Sequence, residues 1–394
     1  MIEASAVYLG WHAAWVLADG LLAAGLARVA TRGGRRLGVV RLAALGVVMG
    51  AFVLGRTAAS AFLGLVDWFG AVAMVYAAAV ASAALVGAAV AVWGRPTRVV
   101  RWICVVGAAS AAGMGVWASA VEPRWVEVTR TEVLPAATGA AWDRPVRVAV
   151  LADIQTTSAD RAYWEGVVER VRAAAPDLIV LPGDLGHAPG KLGGVSSLDH
   201  ARWAERASPG FRRLFERLDA IAPGRVFYSP GNVDRGGRNA VLLENTPARV
   251  LDDAWAEVDL GGGRAVLVGG LSWPHGTPDA RAFLERFARA SARTRATGGR
   301  SLLLAHVPDA ATLLDPGAPI DLVVSGHTHG GQVRLPGLGP ITAPTRLPRR
   351  VAGGGLHEVG GVRLYVSRGL GYERGQAPPL RIFCRPELAI LDLY

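Results

Sequence analysis

Apolar positions follow two different rhythms along this chain. Up to about residue 120 they form four long stretches, 4–30, 37–54, 68–93 and 102–120, most of which lack a polar stripe at helical spacing. Each approaches or exceeds the ~18–20 residues that carry a helix across a bilayer. Their abundant Ala, Gly and Ser favour close helix packing there. Trp11, Trp15, Trp68, Trp93, Trp102 and Trp117 mostly mark the ends of the stretches, where interfacial tryptophans gather. The pattern predicts an all-α transmembrane bundle over residues 1–122.

From residue 146 the rhythm shortens. Apolar runs at 146–151, 178–181, 225–229, 301–304 and 320–324 are too short for helices and mostly rich in Val, Leu and Ile, so they read as strands. Segments 160–174, 209–221 and 278–293 read as helices between them. Runs at 265–268, 361–366 and 388–393 read as later strands, less regularly separated. Strands alternating with helices predict an α/β domain over 146–394, joined to the bundle by a linker at 123–145. Residues 188–208, Gly- and Ser-rich in their first half, interrupt the alternation and read as a substrate-facing loop or cap.

Charge orients the bundle. Arg28, Arg32, Arg35, Arg36 and Arg41 lie between or beside the facing ends of the first two stretches, and Arg95, Arg98 and Arg101 between the last two. The positive-inside rule puts both groups in the cytoplasm. The domain after residue 122 is then expected on the extracytoplasmic side of the cell membrane. The net charge is +10, of which +6 belongs to residues 1–101. No aromatic-basic alternation marks a nucleic-acid groove, so nucleic acid is not expected as a partner. Asp19 inside the first stretch is costly in lipid unless paired or packed within the bundle. Cys104 and Cys384 are too far apart in the chain's organisation to predict a disulfide.

Each early strand run leads into a loop with ligand-type side chains. Val146 begins the run before Ala152-Asp153-Ile154-Gln155, and Leu178 the run before Gly183-Asp184. The next three runs lead into Gly231-Asn232-Val233-Asp234, Ala305-His306 and Ser325-Gly326-His327-Thr328-His329. Loops at strand ends collect on one rim of an α/β sheet. A mixed oxygen and imidazole set suits Mn, Fe or Zn, and two such ions form a common hydrolytic centre.

These loops, in this order, resemble the calcineurin-like metallophosphoesterases, with their Asp-x-His, Gly-Asp, Gly-Asn-His-Asp/Glu, lone His and Gly-His-x-His. The segment 326–336 and the tail Ser367-Arg368-Gly369-Leu370-Gly371, with Leu380-Arg381 and Pro386-Glu387-Leu388, are similar to a bacterial membrane-associated phosphodiesterase branch. The resemblance implies an αββα sandwich and hydrolysis of a phosphodiester or pyrophosphate bond. The substrate would be a phosphoester, and the membrane placement points to a lipid-linked one. It implies that Asp153, Gln155, Asp184 and His329 hold one ion, and that Asp184, Asn232, His306 and His327 hold the other. Catalytic roles fall on Asp184, Asn232, Asp234 and His306.

Two positions depart from the family. Gln155 stands where most relatives have His, which tilts the expected metal towards Mn over Fe or Zn. Val233 stands where most have the His credited with protonating the leaving group. His187 and His275 are candidate replacements. A pyrophosphatase of soluble nucleotide diphosphates, and a catalytically weak membrane sensor, stay open as alternatives.

Overall fold

The computed structural model describes residues 98–134, 142–159, 162–188, 196–234, 239–373 and 380–394. The first three apolar stretches, the loop between the first two, and Asp19 lie outside the described residues. The fourth stretch lies within α1 (Arg98–Val116) and the π turn that continues it (Trp117–Val121). Val99, Trp102, Val106 and Val116 on it are exposed. Residues Cys104–Arg124 form a helical stretch long and apolar enough to cross a membrane.

The chain separates into two compact units, the second comprising residues 123–188, 195–372 and 381–394. Two six-stranded sheets build this second unit. The first sheet contains β1 (Glu127–Val133), β2 (Val146–Val150), β3 (Leu178–Pro182), β4 (Val226–Ser229) and β5 (Arg249–Val250). The second contains β6 (Ala254–Asp259), β7 (Ala265–Leu271), β8 (Arg300–Ala305) and β9 (Leu322–Ser325). A small hairpin follows, β10 (Arg334–Leu335) and β11 (Gly339–Pro340). Strands β12 (Gly355–Val359) and β13 (Val362–Val366) complete the second sheet, in the order β12-β13-β9-β8-β7-β6. Strand β14 (Glu387–Leu393) returns to the first, in the order β1-β14-β2-β3-β4-β5.

Period-two alternation explains the layers. Val148, Val150, Leu178 and Val180 face Leu302, Leu304, Leu322 and Val324 in one core between the sheets. Their neighbours Ala149, Leu151, Ile179 and Leu181 face outward to α2 (Ala162–Ala174) and α3 (Ser197–Asp219). Leu303 and Val323 face α5 (Pro278–Ala296), which packs through Phe283 and Phe287. Short helices α4 (Ala240–Leu243) and α6 (Arg349–Ala352) cap loops. The result is the αββα sandwich.

Two local expectations change. Residues 127–133, expected within a linker, form β1, which pairs in parallel with β14. Its sequence alternates exposed and half-buried positions, so it carries little apolar signal. Residues 197–208, expected as a loop or cap, are the first half of α3. Ser196 caps that helix by accepting the Asp199 N–H. Trp203, Ala204, Ala207, Phe211, Leu214, Phe215 and Leu218 are buried along it at helical spacing. That burial carries the helix through Pro209, which cannot donate to the Glu205 carbonyl. The Ser208 hydroxyl donates to that carbonyl instead, at 3.1 Å.

Candidate metal centre

All five ligand-bearing loops follow parallel strands and open at their C-terminal ends, three from the first sheet (β2, β3, β4) and two from the second (β8, β9). The loops are tied to one another by backbone. Asp153 N–H donates to the Gly183 carbonyl and Gln155 N–H to the Asp184 carbonyl. The His327 N–H donates to both carboxylate oxygens of Asp153, at 2.9 and 3.1 Å.

Asp184, His306 and His327 bring one ligand atom each to within 4.8 Å of one another. The Asp184 carboxylate is the hub. Its Oδ2 accepts from Gln155 Nε2 at 2.8 Å and lies 3.2 Å from His306 Nε2. Its Oδ1 accepts the Val233 N–H at 3.0 Å. Asn232 Oδ1 is 2.9 Å from the same His306 nitrogen. His329 Nε2 lies 4.0 Å from Asp153 Oδ1. The seven residues expected as ligands therefore converge.

The backbone at the ligands is unusual. Asp153, Gln155, Asp184, His327 and His329 have φ of 49°, 33°, 57°, 67° and 49°, where side chains other than glycine are uncommon. Such strain gathers at functional sites held by their surroundings. Two glycines show how tight the hold is. A Cβ on Gly326 would sit 2.5 Å from Asp153 Oδ2, and one on Gly231 would collide with Asp184 Oδ1.

Electrostatics favour cations here. Asp153, Asp184 and His306 are buried. Burial opposes charge on His306, yet Asp184 and Asp153 outweigh it and raise its pKa to about 9. Its Nδ1 donates to the Pro182 carbonyl at 2.9 Å, while Nε2 faces two oxygens, those of Asp184 and Asn232. A proton on Nε2 thus stands where a cation would be shared among imidazole, amide and carboxylate. Burial raises Asp153, partly countered by His306, and the Asp184 charge raises it further. Asp184 itself is lowered: burial works against its charge, but His306 and the Val233 N–H prevail. Burial and the His306 charge lower His327 to about 4, and burial with Arg381 lowers His329, so both imidazoles are neutral donors at pH 7. Buried carboxylates with neutral imidazoles fit divalent ions well.

Asp234 lies behind this ring. Its oxygens accept the N–H groups of Asp184 (2.7 Å), Gly231 (2.8 Å) and Leu185 (3.2 Å), and the Asn239 amide. It fixes the Asp184 loop to the Gly231 turn. His275 is also committed: Nδ1 donates to the Ser272 carbonyl at 2.7 Å, and Nε2 accepts the Val307 N–H at 3.2 Å. His187 is half-buried, and its N–H donates to Thr156.

Sequence reasoning assigned no role to the supports. Leu370 N–H donates to Ala152 and Gly371 N–H to Asp153, holding the first ligand loop from the tail. Arg381, fully buried, donates to the carbonyls of Arg368, Gly369, Gly371, Cys384 and His329. Glu387 accepts from Thr129, Tyr365 and the Arg368 N–H. The signal for these residues was in the quoted tail motif, whose spacing alone does not reveal what it touches.

The calcineurin-like phosphoesterase family matches residues 146–331. The chain is 30% identical over 232 residues to the Bacillus subtilis metallophosphoesterase YkuE, covering 58% of this chain and 71% of the relative. It is 44% identical over 92 residues to the Escherichia coli phosphodiesterase YaeI, covering 23% of this chain and 32% of the relative. A dimetal phosphatase structure from Danio rerio superposes with a TM-score of 0.37 at 12% identity, covering 58% of this chain and 88% of that one. By these sequence matches, this chain belongs to the calcineurin-like metallophosphoesterases and is a metal-dependent phosphoester hydrolase.

Proposed function

We propose that the chain is a membrane-anchored phosphodiesterase with two divalent ions, Mn foremost, and with its hydrolytic domain on the extracytoplasmic side. The observation that carries the chemistry is the convergence of Asp153, Asp184, Asn232, His306, His327 and His329 from five strand ends around a buried anionic centre. Asp153, Gln155, Asp184 and His329 would hold one ion. Asp184, Asn232, His306 and His327 would hold the other. Divalent ions held there would supply water activation and charge neutralisation for phosphoester hydrolysis.

The protein's own part is positioning. The Pro182 carbonyl fixes the His306 ring, so Nε2 points inward. The His327 N–H aims the Asp153 carboxylate, and the Val233 N–H aims that of Asp184. Valine offers the departing oxygen no proton, which favours substrates whose leaving group is already a weak base. Phosphodiesters of acidic alcohols and pyrophosphate linkages meet that condition. The apolar N-terminal stretches support a lipid-linked substrate of this kind.

The same Val233 observation favours a second reading, a pyrophosphatase of soluble nucleotide diphosphates, whose leaving group is a phosphate. A weakly catalytic sensor is the third, supported by Val233 together with Gln155. The test is metal content and turnover of the purified full chain on an aryl phosphodiester, a nucleotide diphosphate compound and phospholipids. Turnover on lipid above that on soluble nucleotide supports the proposal. Preference for the nucleotide selects the second reading. Bound metal with no turnover on any substrate selects the third.

A further inference from the structure

Next to the metal centre the chain carries a turn of the wrong polarity for water. Between Val333 and Ile341 the sequence is Arg-Leu-Pro-Gly-Leu-Gly-Pro, with Arg334 the one charged or hydrogen-bonding side chain. Turns are built mostly from Gly, Pro, Asn, Asp and Ser. Pro336, Gly337 and Gly339 supply the bend here, but leucines stand at positions 335 and 338. Here the hairpin β10–β11 presents Leu338 at 71% exposure, Leu335 at 46% and, at its base, Ile341 at 41%. Phe383 is 55% exposed beside Ile382, which is bridged to Val333.

Basic groups flank the turn. From Leu322 to His357 the chain has no acidic residue, while it contains Arg334, Arg346, Arg349 and Arg350. Arg346, Arg349 and Arg350 are exposed. A Cβ on Gly353, just past α6, would meet the Arg334 guanidinium, so the hairpin arginine lies against the Arg349–Ala352 helix. The base of the hairpin packs on the ligand loop: a Cβ on Gly331 would strike Pro340, and the Ile382 N–H bonds the Gln332 carbonyl. His329 is two residues before Gly331.

We infer that the hairpin Arg334–Pro340 is a docking surface for an anionic phospholipid bilayer, inserting Leu335 and Leu338 below the headgroups while Arg346, Arg349 and Arg350 meet their phosphates. Apolar side chains at a tip with arginines around it are the composition of an interfacial anchor. Insertion places the His329 side of the metal centre at headgroup level. The inference rests on the reading of the chain as membrane-borne and extends it to the partner of the site.

The test uses the full chain with Cys104→Ser, labelled with an environment-sensitive fluorophore at Leu338→Cys, in nanodiscs of anionic or zwitterionic phospholipid. A label at exposed Glu285→Cys on α5 is the control. The expected result is a blue shift and quenching by lipid-borne nitroxide at position 338 in anionic discs, weaker in zwitterionic discs and absent at position 285. Equal behaviour of the two labels, or no dependence on lipid charge, overturns the inference. Shielding at 338 that appears without lipid and grows with protein concentration also overturns it, assigning the face to a second copy. In a separate arm, Leu338→Asp is expected to lower turnover of a lipid-embedded diester about tenfold or more while a soluble aryl diester is unchanged. Equal loss on both makes the hairpin a scaffold of the ligand loop and counts against docking. Absence of all diester turnover in the parent removes the phosphodiesterase reading and leaves the fluorescence result to decide docking alone.

Discussion

The Val233 N–H donates to Asp184 Oδ1 at 3.0 Å, so Val233 meets the hub carboxylate through its backbone. The neighbouring carboxylate of Asp234 is consumed by three backbone N–H groups and the Asn239 amide. A new imidazole at 233 therefore finds no free orienting acid there. Val233→His is expected to help an alkyl phosphodiester by less than the ~10²-fold of a positioned general acid, with an aryl diester nearly unchanged. Steady-state kcat/KM for both substrates decides it. A larger gain on the alkyl substrate means that some other group orients the ring.

Asp184→Ala removes the oxygens facing both His306 and Gln155. Activity is expected to fall by more than about 10³-fold, with metal content reduced in the same preparation. A variant that keeps its metal and its turnover refutes the hub role.

Asp234→Ala leaves the N–H groups of Asp184, Leu185 and Gly231 without their acceptor. Each buried orphan costs about 1–3 kcal/mol. The expected outcome is a clear drop in Tm together with weaker metal retention on dialysis. Loss of activity at unchanged Tm would move Asp234 from support to chemistry.

Gly326→Ala isolates steric fit, because the added Cβ would sit 2.5 Å from Asp153 Oδ2. Displacing that carboxylate is expected to weaken metal binding, read by chelator competition, and to lower turnover about 10²-fold. Parent-like metal affinity would show that the loop yields without cost.

His275 gives a pH prediction. Burial, with a smaller push from His306, lowers its pKa from 6.5 to about 4, while the Ser272 carbonyl pulls the other way. The unfolded chain takes up the proton first as pH falls. The stability His275 contributes is thus fully present above pH 6.5 and is lost as pH drops towards 4, on the order of 3 kcal/mol in all. In metal-free protein, Tm between pH 7 and pH 5 is expected to fall more steeply for the parent than for His275→Gln. His327 and His329 titrate in both proteins, so the difference reports His275. Parallel curves would contradict the assignment.

The ligands were legible because each is local to its strand: an apolar run, a glycine turn and a donor lie within a few residues, as in Gly326-His327-Thr328-His329. Sheet order was not, since pairing of β14 with β1 and β2 joins residues more than two hundred positions apart. The start of α3 was obscured by Pro209, whose local cost is outweighed by tertiary burial of Trp203 and Phe211. Asp234 illustrates a deeper limit. Its type and spacing fit chemistry and support equally well, and only its bonds to Asp184 and Gly231 separate the two.

Strand β14 lies between β1 and β2 rather than at an edge. While residues 387–393 are still being synthesised, both neighbours have an open ladder facing each other across a gap. Leu370 and Gly371, which grip the Asp153 loop, precede that strand by fewer than twenty residues. Sheet closure and completion of the ligand ring are therefore late, nearly simultaneous events, dependent on the longest-range contacts in the domain. A ribosome-bound chain stalled before Glu387 would leave the facing edges of β1 and β2 unpaired, and Gly369 without the Glu387 N–H that ties the tail to the sheet.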